Sequence, residues 1–431
     1  MTRIILAVSL ALMPLGVSRA QAPADSQRLS ELRKAALAAD PRNAQLEILA
    51  AQSALRIRNI TAELRPSLSV DGNAKYQSDV ARIPLTIPGV AIPTPPNDTY
   101  DARLAAQQRL YDPSLAPRRA VERAQGEEAK ARVRSALYSI NEAVNAAFFL
   151  ALRAQTLSAE IATAVTDLEA QLTVAEARVK EGAALPSESN TIRAELLRRK
   201  QAVDEQNAAR RAAVAILAGL TKREIDPGSP LALPQAPANL PKPATYPALR
   251  NRPEYIQFTL AREALQQLEA ARSAQARPRL SAFGTLGYGR PGLNPLSDRF
   301  DSYWVTGIQL QWSPWSWGTT ARDREILALQ RNIVNTEEET FTNSLRRAFE
   351  QDLASIERLE AALAQDEEII RLRQTILAET RVRYSEGVVT SAEYVDRDTD
   401  VLAARLARSS HRIELAQART HLLTTLGLET P

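Results

Sequence analysis

An apolar stripe between Val133 and Val179 constrains the fold more than any other feature of this sequence. Its members follow one another at alternating steps of four and three residues, and only Ser158 is polar. This spacing keeps a narrow apolar seam on one side of a helix, which is typical of a coiled coil rather than of a globular core helix. The stripe consists of Val133, Leu137, Ile140, Val144, Ala147, Ala151, Ala154, Ser158, Ile161, Val165, Leu168, Leu172, Ala175 and Val179.

The residues around the stripe predict one uninterrupted helix from Ser114 to Glu181. This segment contains a single glycine, Gly126, and a single proline, Pro117, which lies near its start. At about 1.5 Å per residue, such a helix is on the order of 100 Å long, which is several times the diameter of an ordinary domain. The sequence therefore predicts a long tube or rod rather than a compact enzyme.

The first residues, 1–20, have the pattern of a secretory signal peptide. Arg3 precedes an apolar run from Ile4 to Val17, and Ser18-Arg19-Ala20 forms a small-x-small cleavage site. The apolar run is too short for a membrane-spanning helix, and no later segment reaches the roughly 18 apolar residues that a span requires. We therefore predict an exported chain without a helical anchor.

The composition and the motifs disfavour several classes of function. The 431 residues include no cysteine and two histidines, His411 and His421, whose ten-residue separation does not place them on one helix face. No disulfide, thiol chemistry, zinc site or copper site is predicted. The net charge of +4 is small for this length, and the basic residues interleave with acids, so no nucleic-acid partner is predicted. No catalytic set, phosphate loop or cofactor motif occurs, and we predict that the protein is not an enzyme.

Beyond Pro66 the apolar periodicity changes from helical to two. Apolar and polar residues alternate from Ser67 to Tyr76 and again from Tyr100 to Leu110, with a proline-rich loop between the two runs. Each run has about the ten residues with which a tilted strand crosses a bilayer. The charged residues of these runs carry both signs, which suggests a wet, weakly selective pore if they face a lumen. They are Asp71, Lys75, Asp101, Arg103 and Arg109.

The second part of the chain repeats the first in the order helix, strand, strand, helix, turn, helix. Arg65-Pro66-Ser67-Leu68 has a counterpart in Arg277-Pro278-Arg279-Leu280, and Glu181-Gly182 has one in Glu386-Gly387, so we predict a duplication. The first repeat covers 21–220, with a helix at 25–64, a strand pair at 67–111 and a helical hairpin at 114–220. A proline-rich linker at 221–247 leads to the second repeat at 248–428, with a strand pair at 279–313 and a helical hairpin at 319–426, and 429–431 form a tail.

The strands imply a shared structure if they cross a membrane. Only closed barrels pair every backbone group in a bilayer, and the smallest single-chain barrels have about eight strands, so the four predicted strands require several copies of the chain. Aromatic residues cluster at the strand ends, where rings favour the membrane interface. They are Tyr111, Trp304, Trp312, Trp315 and Trp317. The alternative is a soluble periplasmic coiled-coil scaffold or adaptor, in which the strand pairs form a small sandwich.

The export signal, the duplicated strand pairs and the long helical hairpins with glycine-containing turns together resemble the TolC-like outer-membrane efflux channel family. The resemblance covers essentially the whole mature chain. It implies a mainly α-helical homotrimer in which each chain gives four strands to a twelve-stranded transmembrane β-barrel, continued by an α-barrel of helical hairpins in the periplasm of a Gram-negative cell. It also implies passive passage of substrates in a tripartite efflux or type I secretion system, with an inner-membrane transporter, a periplasmic adaptor and outer-membrane lipid as partners.

The resemblance also implies a gate at the hairpin tips. Family members carry acids six and nine residues after the turn glycine, and these positions hold Glu393 and Asp396 after Gly387, but Glu188 and Thr191 after Gly182. A ring of such carboxylates would favour cations and repel anions. The alternative is that these acids stabilise the helix that follows each turn through its dipole.

The apolar residues of both turns are predicted to dock the adaptor, although the glycines also have a structural explanation in their tolerance of positive φ. The predicted docking residues are Gly182, Ala183, Ala184, Leu185, Gly387, Val388, Val389 and Thr390. Some family members lock the closed tip with a basic residue near the turn. Val388 and Val389 occupy that region here, so any such lock must use Arg381, Arg383 or Tyr394, or be absent.

Overall fold

A computed structural model of the protein describes residues 28–81, 94–234 and 250–428. The predicted signal peptide, the loop prolines Pro84, Pro88 and Pro93, the later part of the predicted linker and the tail at 429–431 lie outside these residues. The described chain is mainly helical and contains one antiparallel sheet. The helices are α1 (Leu29–Ala39), α2 (Arg42–Ala62), α3 (Leu115–Tyr138), α4 (Ile140–Lys180), α5 (Pro186–Thr221), α6 (Pro253–Gln275), α7 (Thr319–Ser385) and α8 (Ser391–Thr425). The strands are β1 (Ser67–Tyr76), β2 (Asp98–Tyr111), β3 (Arg279–Arg290) and β4 (Asp301–Gln311).

The apolar stripe forms the seam of the first helical hairpin, as the sequence predicts. All of its members are buried or half-buried. Those on α4 pack mainly against α5, with α1 and α8 as further neighbours, whereas Val133 and Leu137 lie at the end of α3. The polar member, Ser158, donates a hydrogen bond from its hydroxyl to the Asn207 side-chain oxygen on α5, at 2.9 Å. The polar interruption of the seam is therefore satisfied across the hairpin.

The prediction of an uninterrupted helix from Ser114 to Glu181 is wrong at one residue. Ser139 separates α3 from α4, although its backbone angles stay in the helical region. Its hydroxyl donates to the carbonyl oxygen of Ala136 at 2.8 Å. A serine side chain that binds a preceding carbonyl competes with the helical hydrogen-bond ladder, which accounts for the local break. In the second half, α7 is a single helix with the predicted bounds of 319–385.

Two helical hairpins pack side by side. The first joins α4 to α5, the second joins α7 to α8, and α8 contacts both α4 and α5. Arg199 of α5 is buried in this contact, with 2% of its side chain exposed. Its guanidinium reaches the Glu195 carboxylate at 2.8 Å and the Asp398 carboxylate of α8 at 2.7 Å. The hairpins are thus joined by a buried ionic network as well as by apolar packing.

The four strands form one sheet in the order β1-β2-β3-β4, with every neighbouring pair antiparallel. The small sandwich expected for a soluble scaffold is therefore wrong, since both strand pairs lie in a single layer. Next to the sheet, α2, α3, α6 and α7 contact one another in the same order as the strands. Within the described residues, β1 and β4 are consequently edge strands and α2 and α7 are edge helices.

The two histidines have separate partners. His411 contacts Asp366 at 2.7 Å and His421 contacts Asp352 at 2.7 Å, so each pairs with an aspartate of α7. Among the residues that the structure describes, no helix combines the length and apolar character needed to cross a membrane.

Candidate functional site

The sheet has one continuous apolar face. Strand register places Val70, Leu104, Leu286 and Trp304 side by side in a single row across all four strands. All four side chains are exposed, Val70 to 82%. Further large apolar residues on this face are exposed as well, and they are Leu68, Tyr76, Tyr100, Tyr288, Ile308 and Leu310. A soluble monomer rarely exposes so large an apolar surface, so this face requires an apolar environment.

Aromatic side chains border the apolar face at both ends. At the end next to the helices lie Tyr111, Trp312, Trp315 and Trp317, with the last two rings in edge-to-face contact at 5.8 Å. At the far end, Phe300 stacks on Tyr100 at 6.2 Å and on Tyr288 at 5.6 Å, and Tyr76 lies on the neighbouring strand. The sequence predicted the first group and missed the second, although its tyrosines stand at the ends of the alternating runs.

Trp304 does not lie with the other tryptophans. It pairs with Leu286 and therefore lies in the row that also holds Leu104 and Val70, in the middle of the face. On the opposite face lie the charged residues that were predicted to share one side of the strands. Asp71 stands opposite Arg103 there, at 3.6 Å, and Tyr303 donates to Asp101 at 2.5 Å. The predicted separation of apolar and charged faces is confirmed.

The two hairpin turns have the same backbone geometry. Gly182 and Gly387 have φ values of 73° and 77°, which residues with a side chain rarely adopt. In the first turn the Ala183 amide donates to the Arg178 carbonyl at 2.8 Å, and in the second the Val388 amide donates to the Arg383 carbonyl at 2.9 Å. These are the hydrogen bonds of helix termination through a left-handed residue. The glycines therefore end α4 and α7, whatever else the turns do.

Two charged side chains of the first hairpin contact the helix ends of the second. The Glu188 carboxylate accepts a hydrogen bond from the Ser391 amide at 2.7 Å, at the N-terminus of α8. The Arg178 guanidinium donates to the Tyr384 carbonyl at 3.2 Å, near the C-terminus of α7. A helix carries partial positive charge at its N-terminus and partial negative charge at its C-terminus, so each side chain meets the charge that it favours. We call this pair of contacts the tip clamp.

The tip clamp lies beside a buried pair of tyrosines. The rings of Tyr384 and Tyr394 stack at 5.3 Å, and the Arg178 guanidinium lies 5.5 Å from the centre of the Tyr384 ring. Burial raises the pKa of Tyr394 to about 12, so its phenol stays neutral at any physiological pH. The two charged contacts of the tip clamp therefore lie beside side chains that carry no charge.

The candidate lock residues are not the ones that join the two hairpin tips, and a lock itself stays a prediction. Tyr394 is buried in the stack, and the side chains of Arg381 and Arg383 form no ion pair or hydrogen bond within the described residues. Arg178 makes the contact instead, and the sequence analysis missed this role. A signal was present, because Arg178 and Arg383 both stand four residues before the glycine of their turn.

Glu393 and Asp396 lie on the outside of α8, one helical turn apart. Asp396 is exposed and Glu393 is half-exposed. Neither carboxylate forms an ion pair or a hydrogen bond in residues 28–81, 94–234 and 250–428, whereas Glu188 is engaged in the tip clamp. Their membership in a carboxylate ring stays a prediction, and the structure leaves both carboxylates open to a ligand or to another copy of the chain.

The apolar residues of the turns divide into two sets. Leu185 is 70% exposed and Val388 is 63% exposed. Ala184 and Val389 are half-buried, and Val389 packs against the apolar cluster that contains Tyr384 and Tyr394. Docking of an adaptor by these residues stays a prediction, and Val389 is already partly covered because it packs against this cluster.

Removing the Glu188 carboxylate is expected to loosen the start of α8. In Glu188→Ala the Ser391 amide loses a charge-assisted acceptor, so we expect amide hydrogen exchange at 391–394 to become about tenfold faster. Exchange measured by mass spectrometry on the detergent-solubilised chain checks this result. Glu181→Ala is the matched control, because Glu181 lies in the same turn region and is exposed. Equal exchange rates in both variants would contradict a clamping role for Glu188.

Comparison with known proteins adds to this geometry. No family model and no curated protein matches the chain. Solved structures match it over nearly its whole length. CusC, described as a protein that forms a transmembrane channel, has 15% identity, a TM-score of 0.71 and coverage of 96% of both chains. The outer-membrane protein VceC of Vibrio cholerae has 15% identity and a TM-score of 0.68, with 94% of this chain and 97% of that chain covered.

A third match is the MtrE outer-membrane channel of Neisseria gonorrhoeae in its open state. It has 18% identity and a TM-score of 0.64, and it covers 93% of this chain and 89% of the other. The protein has the fold of TolC-like outer-membrane channels. The resemblance drawn from the sequence is confirmed at the level of the fold, which joins long helical hairpins to an antiparallel sheet.

Proposed function

We propose that this chain is the outer-membrane channel of a tripartite efflux or type I secretion system in a Gram-negative cell. Its substrates would pass passively from an inner-membrane transporter and a periplasmic adaptor to the outside. The observation that carries the proposal is the continuous apolar face of the sheet, bordered by aromatic rings at both ends. Outer-membrane strands present such a band to lipid between two aromatic girdles.

The free edges of the sheet support a barrel shared between copies. Four strands are about half of the smallest single-chain barrel, and an exposed strand edge offers unpaired backbone groups to another strand. The edge helices beside these strands carry exposed apolar residues, which are Ile48 and Leu55 on α2 and Ile326, Leu329 and Ile333 on α7. In the trimer that we propose, β4 and α7 of one copy pair with β1 and α2 of the next, and twelve strands close into one barrel.

Cysteine cross-linking tests the shared barrel. The chain contains no cysteine, so every introduced pair reports on its own position. Ser69→Cys on β1 is combined in turn with a cysteine at Val305, Gly307 or Gln309, which lie on the same face of β4. After oxidation, at least one combination is expected to give covalent dimers and trimers on a denaturing gel. Ser69→Cys alone is the control, and monomers in all three combinations would contradict the shared barrel.

The hairpin tips would form the periplasmic gate. Threefold symmetry would bring copies of Glu393 and Asp396 together, and their open carboxylates support a ring that favours cations. Glu188 is a weaker candidate for this ring, because its carboxylate binds the Ser391 amide. Leu185 and Val388 are the residues best placed to dock an adaptor, since an exposed apolar side chain at a tip gains from being covered.

Conductance tests the acid ring. In planar bilayers, Glu393→Ala combined with Asp396→Ala is expected to lower the cation-to-anion permeability ratio by about threefold or more, because carboxylates from every copy leave the pore. Glu188→Gln is the matched control and is expected to change the ratio little. A ratio that stays the same in the double variant would contradict the ring, and an equal fall in the control would show that Glu188 belongs to it.

The same element order in both halves of the chain supports the proposed duplication, with the repeats at 21–220 and 248–428. Each half contributes a strand pair and a helical hairpin, so a duplicated half supplies both the barrel and the tunnel.

The proposed channel is tested by the mass of the detergent-solubilised chain together with its conductance. A conducting trimer is the expected result, whereas a detergent-independent, non-conducting monomer would favour the soluble periplasmic scaffold.

A further inference from the structure

A cavity of about 350 Å³ lies where the helices meet the charged face of the sheet. Its walls come from the end of α2, from β2 and β3, and from the last residue of β4. The strand residues that line it stand mainly at alternate positions on the face opposite the apolar one, and they include Gln107, Ser281 and Gln311. The cavity is thus lined with hydrogen-bond donors and faces away from the apolar surface.

Three arginines line this cavity: Arg65, Arg109 and Arg279. Two carboxylates, those of Glu63 and Asp112, also line it. Arg118 lies behind the wall and binds both oxygens of Glu63 at 2.7 Å. Four arginines against two carboxylates leave a surplus of two positive charges in each copy of the chain.

The two carboxylates are already engaged by a subset of the arginines. Arg109 contacts both Glu63 and Asp112, and the hydrogen bond from Arg118 lowers the pKa of Glu63, which keeps it ionised. Asp112 is buried and accepts hydrogen bonds from the backbone amide and the hydroxyl of Ser114, at 2.9 and 2.6 Å. These acids therefore hold Arg109 and Arg118 in place. Of the other two arginines, only Arg279 has an ionic contact with them, a long one of 3.8 Å to Asp112.

Arg65 and Arg279 carry the surplus. The Arg65 side chain is exposed and forms no ion pair or hydrogen bond in the described residues. Arg279 is 38% exposed, lies 3.8 Å from Asp112 and donates a long hydrogen bond of 3.4 Å to the Gln275 carbonyl. Arg65 therefore makes no polar side-chain contact within the described residues, and Arg279 makes only these two long ones. Arg65 is the first residue of the Arg-Pro-x-Leu motif that opens the first strand pair, and Arg279 stands at the variable position of the same motif in the second.

We propose that this cavity binds multivalent oxyanions, such as polyphosphates, through Arg65 and Arg279. A guanidinium group matches the geometry of an oxyanion with two parallel hydrogen bonds, and the neighbouring amides and hydroxyls supply further donors. The proposal rests on the proposed function in one respect. If three copies share a barrel, three cavities face one lumen and their surplus adds to about six positive charges, which would strengthen binding through the focused field.

The site predicts a duct whose charge changes sign along its length. Carboxylates at the hairpin tips favour cations, whereas the cavity retains anions where the helices meet the sheet. A multivalent anion on the outer side of the membrane would reach the cavity without passing the acids. Binding should weaken with added salt, because these arginines are accessible to solvent and their charges are screened.

Binding of tripolyphosphate to the detergent-solubilised full chain tests the site by titration calorimetry. Arg65→Gln combined with Arg279→Gln is expected to weaken binding by about tenfold or more, the effect of losing two charge-assisted contacts. Lys75→Gln is the matched control, because Lys75 lies on the same face at the far end of β1. Unchanged affinity in the double variant, or an equal loss in the control, would overturn the proposal. The two arginines contribute little packing, so both variants should fold, and the helical circular dichroism signal checks this.

Measuring binding and conductance on the same chain separates this site from the proposed channel function. A chain that binds tripolyphosphate but conducts no current would overturn the channel and leave the site, whereas a conducting chain without binding would overturn the site and leave the channel. A lipid headgroup carries the same phosphate chemistry. Competition by phosphatidylglycerol in mixed detergent micelles against tripolyphosphate would show that the cavity binds a lipid headgroup and overturn a site for solutes.

Discussion

Replacing Leu104 with arginine is expected to stop the chain from assembling in a membrane. Leu104 lies in the central row of the apolar face, between Val70 and Leu286. An arginine that faces lipid near the bilayer midplane costs about 2–4 kcal/mol, and a trimer would carry this cost three times. The measurement is the fraction of protein recovered as a detergent-extracted oligomer from the outer-membrane fraction. We expect a fall of at least about tenfold.

The neighbouring residue supplies the control. Ala105 directly follows Leu104 on β2, so its side chain points to the opposite, charged face of the sheet. Ala105→Arg places the same charge one residue away but toward the proposed lumen, where it is solvated, so we expect near-normal assembly. If Leu104→Arg assembled as well as Ala105→Arg, the apolar face would not meet lipid. That result would favour a soluble scaffold, for which an exposed Leu104 could be exchanged at little cost.

Replacing Arg199 with alanine is expected to loosen the contact between the two hairpins by about 3 kcal/mol or more. The substitution leaves the Glu195 and Asp398 carboxylates without their shared cation, and breaking a buried ion pair from one side is strongly destabilising. It also removes the hydrogen bond from Arg199 to the Thr399 hydroxyl, at 3.2 Å. Amide hydrogen exchange in α5 and α8 should become about a hundredfold faster, and it reads local opening without requiring reversible unfolding.

Arg198 is the matched control for this prediction. It binds the same Glu195 carboxylate at 2.6 Å, but its side chain is 63% exposed. An exposed pair contributes about 0–1 kcal/mol, so Arg198→Ala should change exchange by no more than about fivefold. If the two variants behaved alike, burial of Arg199 would not set its contribution, and the buried network would be one surface pair among many.

The pH dependence gives a second measurement on this network. Burial by itself raises the pKa of Glu195, but hydrogen bonds from Arg198 and Arg199 outweigh it and hold the pKa below its usual value of 4.5. A carboxyl whose pKa is lowered on folding stabilises the fold above its usual pKa and loses that contribution as the pH falls through the lowered value. The hairpin contact should therefore weaken below about pH 4.5, and Arg199→Ala should show less of this dependence.

The sequence determined the elements that depend on local patterns. A seam repeating at steps of four and three residues specifies a helical hairpin, because each position is set by the turn of its own helix. Alternation with a period of two placed Asp71 and Arg103 on one face of the strands and Leu104 on the other, as the sheet has them. The glycines at 182 and 387 also follow from a local demand, since positive φ is a property of one residue.

Only the tertiary structure decided which side chains meet. Glu188 and Ser391 are 203 positions apart in the chain, and the tip clamp forms because the two hairpins end at the same level. No local pattern distinguishes Arg178 from Arg383, since only Arg178 meets a carbonyl of the other hairpin. The oxyanion cavity likewise joins Arg65 to Arg279 across a sheet. A partner for a charged or apolar side chain is set by packing between distant segments, and the period of a single segment carries no information about that packing.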